Sequence, residues 1–189
     1  MDRLSNAVKA FRQSWIDHQN PREKMQVGKR QTRYNYRSGP MMFLGQQIVK
    51  QMQDSGYPAF IHCCLRTAED QRAAKDRGAS KAGPFQSPHQ YWEAVDIVHP
   101  KLFWNASSEY WQALADCSRL VANKFGVTLE LGFDWGWDSA HIELKDWRDF
   151  QLDVGQRHPT QEELDARFEA VLPEQWKQFR KSKAGMVLK

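Results

Sequence analysis

Apolar residues recur at helical spacing near the start of the chain. Leu4, Ala7, Val8, Phe11, Trp15 and Ile16 predict an amphipathic helix that Asn20-Pro21 ends. A polar stretch without period follows over 24–40. A second helix is predicted over 41–55, with Leu44, Ile48 and Met52 on one face and Gly56 at its end. The run 57–65 reads as a buried strand. Thr67, with Asp70 three residues on, caps a short helix that closes at Gly78, and the Gly-, Ser- and Pro-rich 79–88 reads as a loop. A second apolar run, 94–98, reads as a buried strand that contains Asp96. A helix over 108–125 carries Trp111, Leu114, Ser118 and Val121 in register and stops at Gly126. Two further strands, 127–132 and 141–144, flank a turn dense in Asp, Gly and Trp. Beyond Asp146 the chain is polar with two helical patterns, one capped by Thr160 with Glu163 and the other over 173–183.

Strands and helices are not interleaved as βαβ units. The fold class expected is therefore α+β, a small, mostly antiparallel sheet flanked by helices. A chain of 189 residues suits one domain with a small appendage and can bury a core without disulfides. Its three cysteines form no CxxC pair, and adjacent Cys63 and Cys64 sit in an apolar run. Both are read as small buried hydrophobes, and folding in a reducing cytoplasm is expected.

Residues 1–20 lack the apolar core of a signal peptide, and no stretch is long enough to span a membrane as a helix. A net charge of +4 favours an anionic partner: nucleic acid, a membrane surface or an acidic wall polymer. Lys29, Arg30, Arg33 and Arg37 interleave with Tyr34 and Tyr36, which suits either a nucleic-acid contact or a solvated loop, and the loop is the expectation.

The chemistry gathers in two places. Ser87-Pro88-His89-Gln90-Tyr91-Trp92-Glu93-Ala94-Val95-Asp96 comes first, and Asp138-Ser139-Ala140-His141 follows. Two histidines and a carboxylate can fill three positions around zinc and leave the fourth for water. A further carboxylate at Asp138 can take that water's proton. The same residues also suit hydrogen-bonded structural histidines with Asp96 capping a turn. Glu143 shares the face of His141 on a strand, where it either orients that histidine or joins a salt bridge.

Ser87-x-His89-x-x-Trp92-x-Ala94-Val95-Asp96 resembles the SxHxxGxAxD signature of the zinc D-Ala-D-Ala carboxypeptidase family. That family includes carboxypeptidases, dipeptidases and phage endolysins that cut the L-Ala–D-Glu bond of peptidoglycan. Trp137-Asp138-Ser139-Ala140-His141-Ile142-Glu143 is similar to its downstream element, and Arg66 with Gln71 is similar to the Arg-x4-Gln element of the endolysin branch. The resemblance covers roughly 60–144. It implies a hedgehog-like α+β fold, one Zn2+ held by His89, Asp96 and His141, and Asp138 as general base. Arg66 would face a substrate carboxylate or the developing oxyanion, with Gln71 bonding substrate beside it. Ser87 would order the loop, and Tyr91, Trp92 and Trp137 each suit either the cleft wall or core packing.

The implied protein is a zinc metallopeptidase of peptidoglycan stem peptides, an endolysin-like hydrolase. It would have its catalytic domain in 1–150 and a helical extension over 151–189. It would be monomeric, made without a signal peptide, free of nucleic acid, and active on the host cell wall after release. Transient contact with an anionic membrane surface would come through the basic 173–183 helix. The alternative is a non-catalytic zinc module that binds the wall or sits on a virion. Trp92 stands where the family has glycine, which predicts that the loop between His89 and Asp96 runs differently here.

Overall fold

The structure, a computed structural model, describes residues 39–187, with side chains as far as residue 180. The helix expected over 4–16 and the basic segment at Lys29–Arg37 lie outside the described residues. The described chain runs α1 (Gly39–Asp54), β1 (Phe60–Cys63), α2 (Ala68–Asp76), a short 3-10 helix (Pro88–Tyr91), β2 (Ala94–Val98) and α3 (Ser108–Phe125). It continues with β3 (Leu129–Leu131), β4 (His141–Leu144), α4 (Trp147–Val154), α5 (Gln161–Val171) and α6 (Pro173–Val187). The fold is α+β. One four-stranded sheet has the order β1-β2-β4-β3, and every neighbouring pair is antiparallel. No helix among the described residues is long and apolar enough to cross a membrane.

The two faces of the sheet do different work because side chains alternate along a strand. Val95 and Ile61 turn toward α1, where a side chain on Gly45 would stand only 3.1 Å from Ile61 and 3.2 Å from Val95. Gly45 lets helix and sheet approach, and Leu44, Ile48 and Met52 of α1 are fully buried in the same core. Asp96 points to the opposite face. Its cross-strand neighbours are Cys63 on one side and His141 on the other. The register between β1 and β2 shifts between Ile61 and Cys63, so one extra residue, His62, bulges out. That bulge turns Cys63 onto the face of Asp96, away from the core face of Ile61.

Local signals explain most element ends. The Thr67 side chain accepts from the Asp70 amide, and Thr160 forms a capping box with Glu163. Two elements were not expected. The 3-10 turn at Pro88–Tyr91 is too short for periodicity to reveal. Helix α4 is eight residues long, and Asp146 at its start gives no side-chain cap.

The loop from His89 to Asp96 corrects the expectation about Trp92. Trp92 itself adopts the left-handed conformation, φ 64° and ψ 25°, at the end of the 3-10 helix. The chain makes the turn a glycine would make, with a tryptophan in it. The indole lies in the core, 6% exposed, so it walls no cleft. Packing outweighs backbone strain here. Replacing Trp92 with Gly would relieve about 1 kcal/mol of strain and lose about 3–5 kcal/mol of burial. A fall in melting temperature of roughly 5–15 °C is expected for a domain of this size. A melting temperature that rises would show that strain dominates.

Helix α5 is tied to this loop. The Arg167 guanidinium bonds both oxygens of the fully buried Glu93 (Nη2 to Oε2, 2.7 Å) and reaches Asp146 at 2.7 Å. Burial pushes Glu93 up to about 7, against the pull of Arg167. Without its guanidinium partner that carboxylate would be an uncompensated buried charge.

Candidate metal centre and its cleft

Three elements converge on one point. The 3-10 helix supplies His89, β2 supplies Asp96 and β4 supplies His141. His89 Nε2 lies 3.3 Å from His141 Nδ1 and 3.3 Å from Asp96 Oδ1, and His141 Nδ1 lies 3.2 Å from Asp96 Oδ1. The three atoms form a nearly equilateral triangle. Donors bound tetrahedrally at the usual zinc distances of about 2.0–2.1 Å stand about 3.3 Å apart.

The protons on the histidines follow from their outer partners. His89 Nδ1 faces the Cys64 carbonyl at 3.2 Å, which can only accept, so that nitrogen carries the hydrogen. His141 Nε2 donates to Glu143 Oε2 at 2.8 Å, and Glu143 Oε1 accepts from the Trp147 indole at 3.1 Å. Glu143 therefore orients His141, the first of the two roles considered for it. Both inward nitrogens then present lone pairs toward the Asp96 oxygen. Three acceptors at this spacing repel one another unless a cation lies among them.

The titration behaviour says the same. Burial opposes charge on both imidazoles. Nevertheless Asp96 lifts His89 to about 10, and hydrogen bonds to Asp96 and Glu143 lift His141 to about 9. Burial would raise Asp96, but His89 and His141 hold it well below the carboxylate range. The centre draws positive charge, as a proton or as a metal ion.

Cys63 was not foreseen in the site. Its Sγ lies 3.8 Å from His89 Nδ1, and Cys63, His89 and Asp96 present donor atoms all within 4.8 Å of one another. That set could also hold a metal. The sulfur, however, stands on the His89 nitrogen that Cys64 already engages, while the opposite nitrogen closes the triangle with His141. The geometry favours the triangle. Burial would raise the Cys63 thiol, yet His89 and Arg66 bring it below its usual value.

The centre opens into a cleft of about 620 Å³, lined by Arg66, Ser87, Trp137 and Asp138 among others. The Asp138 carboxylate makes no hydrogen bond or ion pair with another described residue. Burial pushes it up to about 6, with the charge of Asp96 adding to the rise. Gly132 sets the position of its loop. A side chain there would fall 2.1 Å from the Asp138 carbonyl oxygen, the group that accepts from the His141 amide. Arg66 places Nη2 3.7 Å from Asp96 Oδ2 and donates from Nη1 to Gln71 Oε1 at 3.0 Å.

Gln71 is placed differently from the expectation. It is fully buried, and its amide nitrogen donates to Ser80 Oγ at 2.9 Å and to the Ala82 carbonyl at 2.8 Å. With both ends engaged it cannot bond substrate. It holds Arg66 against the 80–82 loop instead.

No family model matches the chain. No curated protein matches it. The crystal structure of the Serratia marcescens L-Ala D-Glu endopeptidase ChiX is 24% identical, over 61% of this chain and 86% of that one, with a TM-score of 0.49.

Proposed function

We propose that the protein is a zinc-dependent peptidase that cleaves the stem peptide of bacterial peptidoglycan, of the phage-endolysin type. The observation that carries the proposal is the triangle of inward-facing acceptors on His89, Asp96 and His141, with the unengaged Asp138 carboxylate in the same cleft. The order of the three sequence elements supports the choice of substrate.

When bound, the zinc ion supplies a Lewis acid and water acidified to a pKa of about 7. Every other role falls to side chains. His89, Asp96 and His141 hold the ion, and the Cys64 carbonyl and Glu143 fix the two imidazoles in the binding tautomer. Asp138 takes a proton from the attacking water and delivers it to the leaving amine, a task that suits a carboxylate raised toward neutrality. The guanidinium of Arg66 opposes negative charge that develops on the scissile carbonyl oxygen or a substrate carboxylate.

The alternative is a non-catalytic module on the same fold. Its ground is a loop distorted by Trp92, and Trp92 makes the left-handed turn. Mass spectrometry of muropeptides after digestion of purified sacculi tests the proposal. Stem peptides cut by zinc-loaded protein, and left whole after chelation, are expected. Intact muropeptides with a fully loaded centre would refute it.

A further inference from the structure

Two cations reach the cleft by separate routes from His141. Along one, the Trp135 ring lies 5.4 Å from His141, Trp137 stacks on Trp135 at 5.5 Å, and the Lys81 ammonium stands over Trp137 at 5.8 Å. Along the other, Glu143 joins His141 to the Trp147 indole, and the Arg148 guanidinium lies over that ring at 4.4 Å. An aromatic face holds a cation by its quadrupole without neutralising it. Among the described residues, neither Lys81 nor Arg148 has a carboxylate partner. Lys145 lines the same cleft and has none either.

The four acids of the cleft, Asp96, Glu130, Asp138 and Glu143, pair with neither Lys81 nor Arg148. Asp96 faces the metal triangle, Glu143 is spent on His141 and Trp147, and Asp138 is the base. Glu130 is the remaining carboxylate of the lining. Arg66 adds a further positive group beside Asp96. Cations left without a carboxylate partner beside one reaction centre attract anionic ligands.

We infer that this cleft reads a multiply anionic peptide, and that Lys81 and Arg148 are its specificity-determining residues. The inference rests on the peptidase reading above and narrows it. A terminal D-Ala-D-Ala segment offers one carboxylate. A stem peptide cut at L-Ala–D-Glu carries the glutamyl α-carboxylate beside the scissile amide and further carboxylate downstream. The distribution of charge favours the second bond.

The test uses zinc-loaded full chain and two matched peptides, acetyl-L-Ala–γ-D-Glu–L-Lys and the same peptide with its glutamyl α-carboxylate converted to the carboxamide. The acid should be hydrolysed with a kcat/KM at least about tenfold higher, mainly through KM, and the preference should shrink as salt screens the charges. Lys81→Gln and Arg148→Gln should each reduce the preference severalfold, and the double variant should abolish it. Equal rates on the two peptides, or a preference that survives the double variant, would overturn the inference. If neither peptide is cut, the peptidase reading fails separately. Calorimetric titration of both peptides then reads the charge preference without turnover, and equal affinities would overturn it.

Discussion

Asp138→Asn is expected to leave zinc bound and to lower hydrolysis of the stem peptide about a thousandfold. Removing a positioned general base typically costs about 10²–10⁴ in rate. Asparagine keeps the shape of the side chain and loses only its ability to take a proton. The Asp138 carboxylate has no hydrogen bond or ion pair to another described residue, so the substitution orphans no partner, and the fold should be unaffected. Its loop is held instead by backbone: the Asp138 carbonyl accepts from the His141 amide, and Gly132 leaves room for that carbonyl. Zinc content by atomic emission, melting temperature and kcat on a defined muropeptide check the three parts. Activity within threefold of the parent protein would remove Asp138 from the base role.

His141→Ala should remove both metal and activity. It deletes one vertex of the triangle and leaves Glu143 buried without the imidazole it bonds at 2.8 Å. The graded comparison is with Glu143→Gln, which keeps the ligand and weakens only its orientation. Changing such an outer partner typically costs about 10–100-fold in metal affinity. Zinc affinity, measured by competition with a chromophoric chelator, should therefore fall in the order parent, Glu143→Gln, His141→Ala. A His141→Ala protein that binds zinc as tightly as the parent would exclude His141 from the centre.

Much of this architecture is legible in the sequence, for physical reasons that differ by element. Asp96 stands out because a carboxylate in the otherwise apolar run of β2 needs a partner that compensates its burial. Helix α3 is legible because Trp111, Leu114, Ser118 and Val121 keep helical register and Gly126 closes it. Glu143 follows from the two-residue period of a strand. Other features depend on geometry that no local pattern encodes. Strict alternation along β1 puts Cys63 on the core face with Ile61. The bulge at His62 reverses it, and the sulfur arrives beside His89. Gln71 follows Arg66 at the spacing of the Arg-x4-Gln element it resembles, but both ends of its amide are taken up by Arg66, Ser80 and Ala82. Trp92 has a side chain that argues against a left-handed turn, and the core around it outweighs the argument.

Two imidazole nitrogens and one carboxylate oxygen are expected to hold the metal, with Cys63 standing behind His89. X-ray absorption at the zinc edge of the loaded protein tests this most directly. Only nitrogen and oxygen scatterers at about 2.0–2.1 Å are expected, with the multiple-scattering signature of two imidazoles. A sulfur scatterer at about 2.3 Å would contradict it and assign the centre to Cys63, His89 and Asp96 instead.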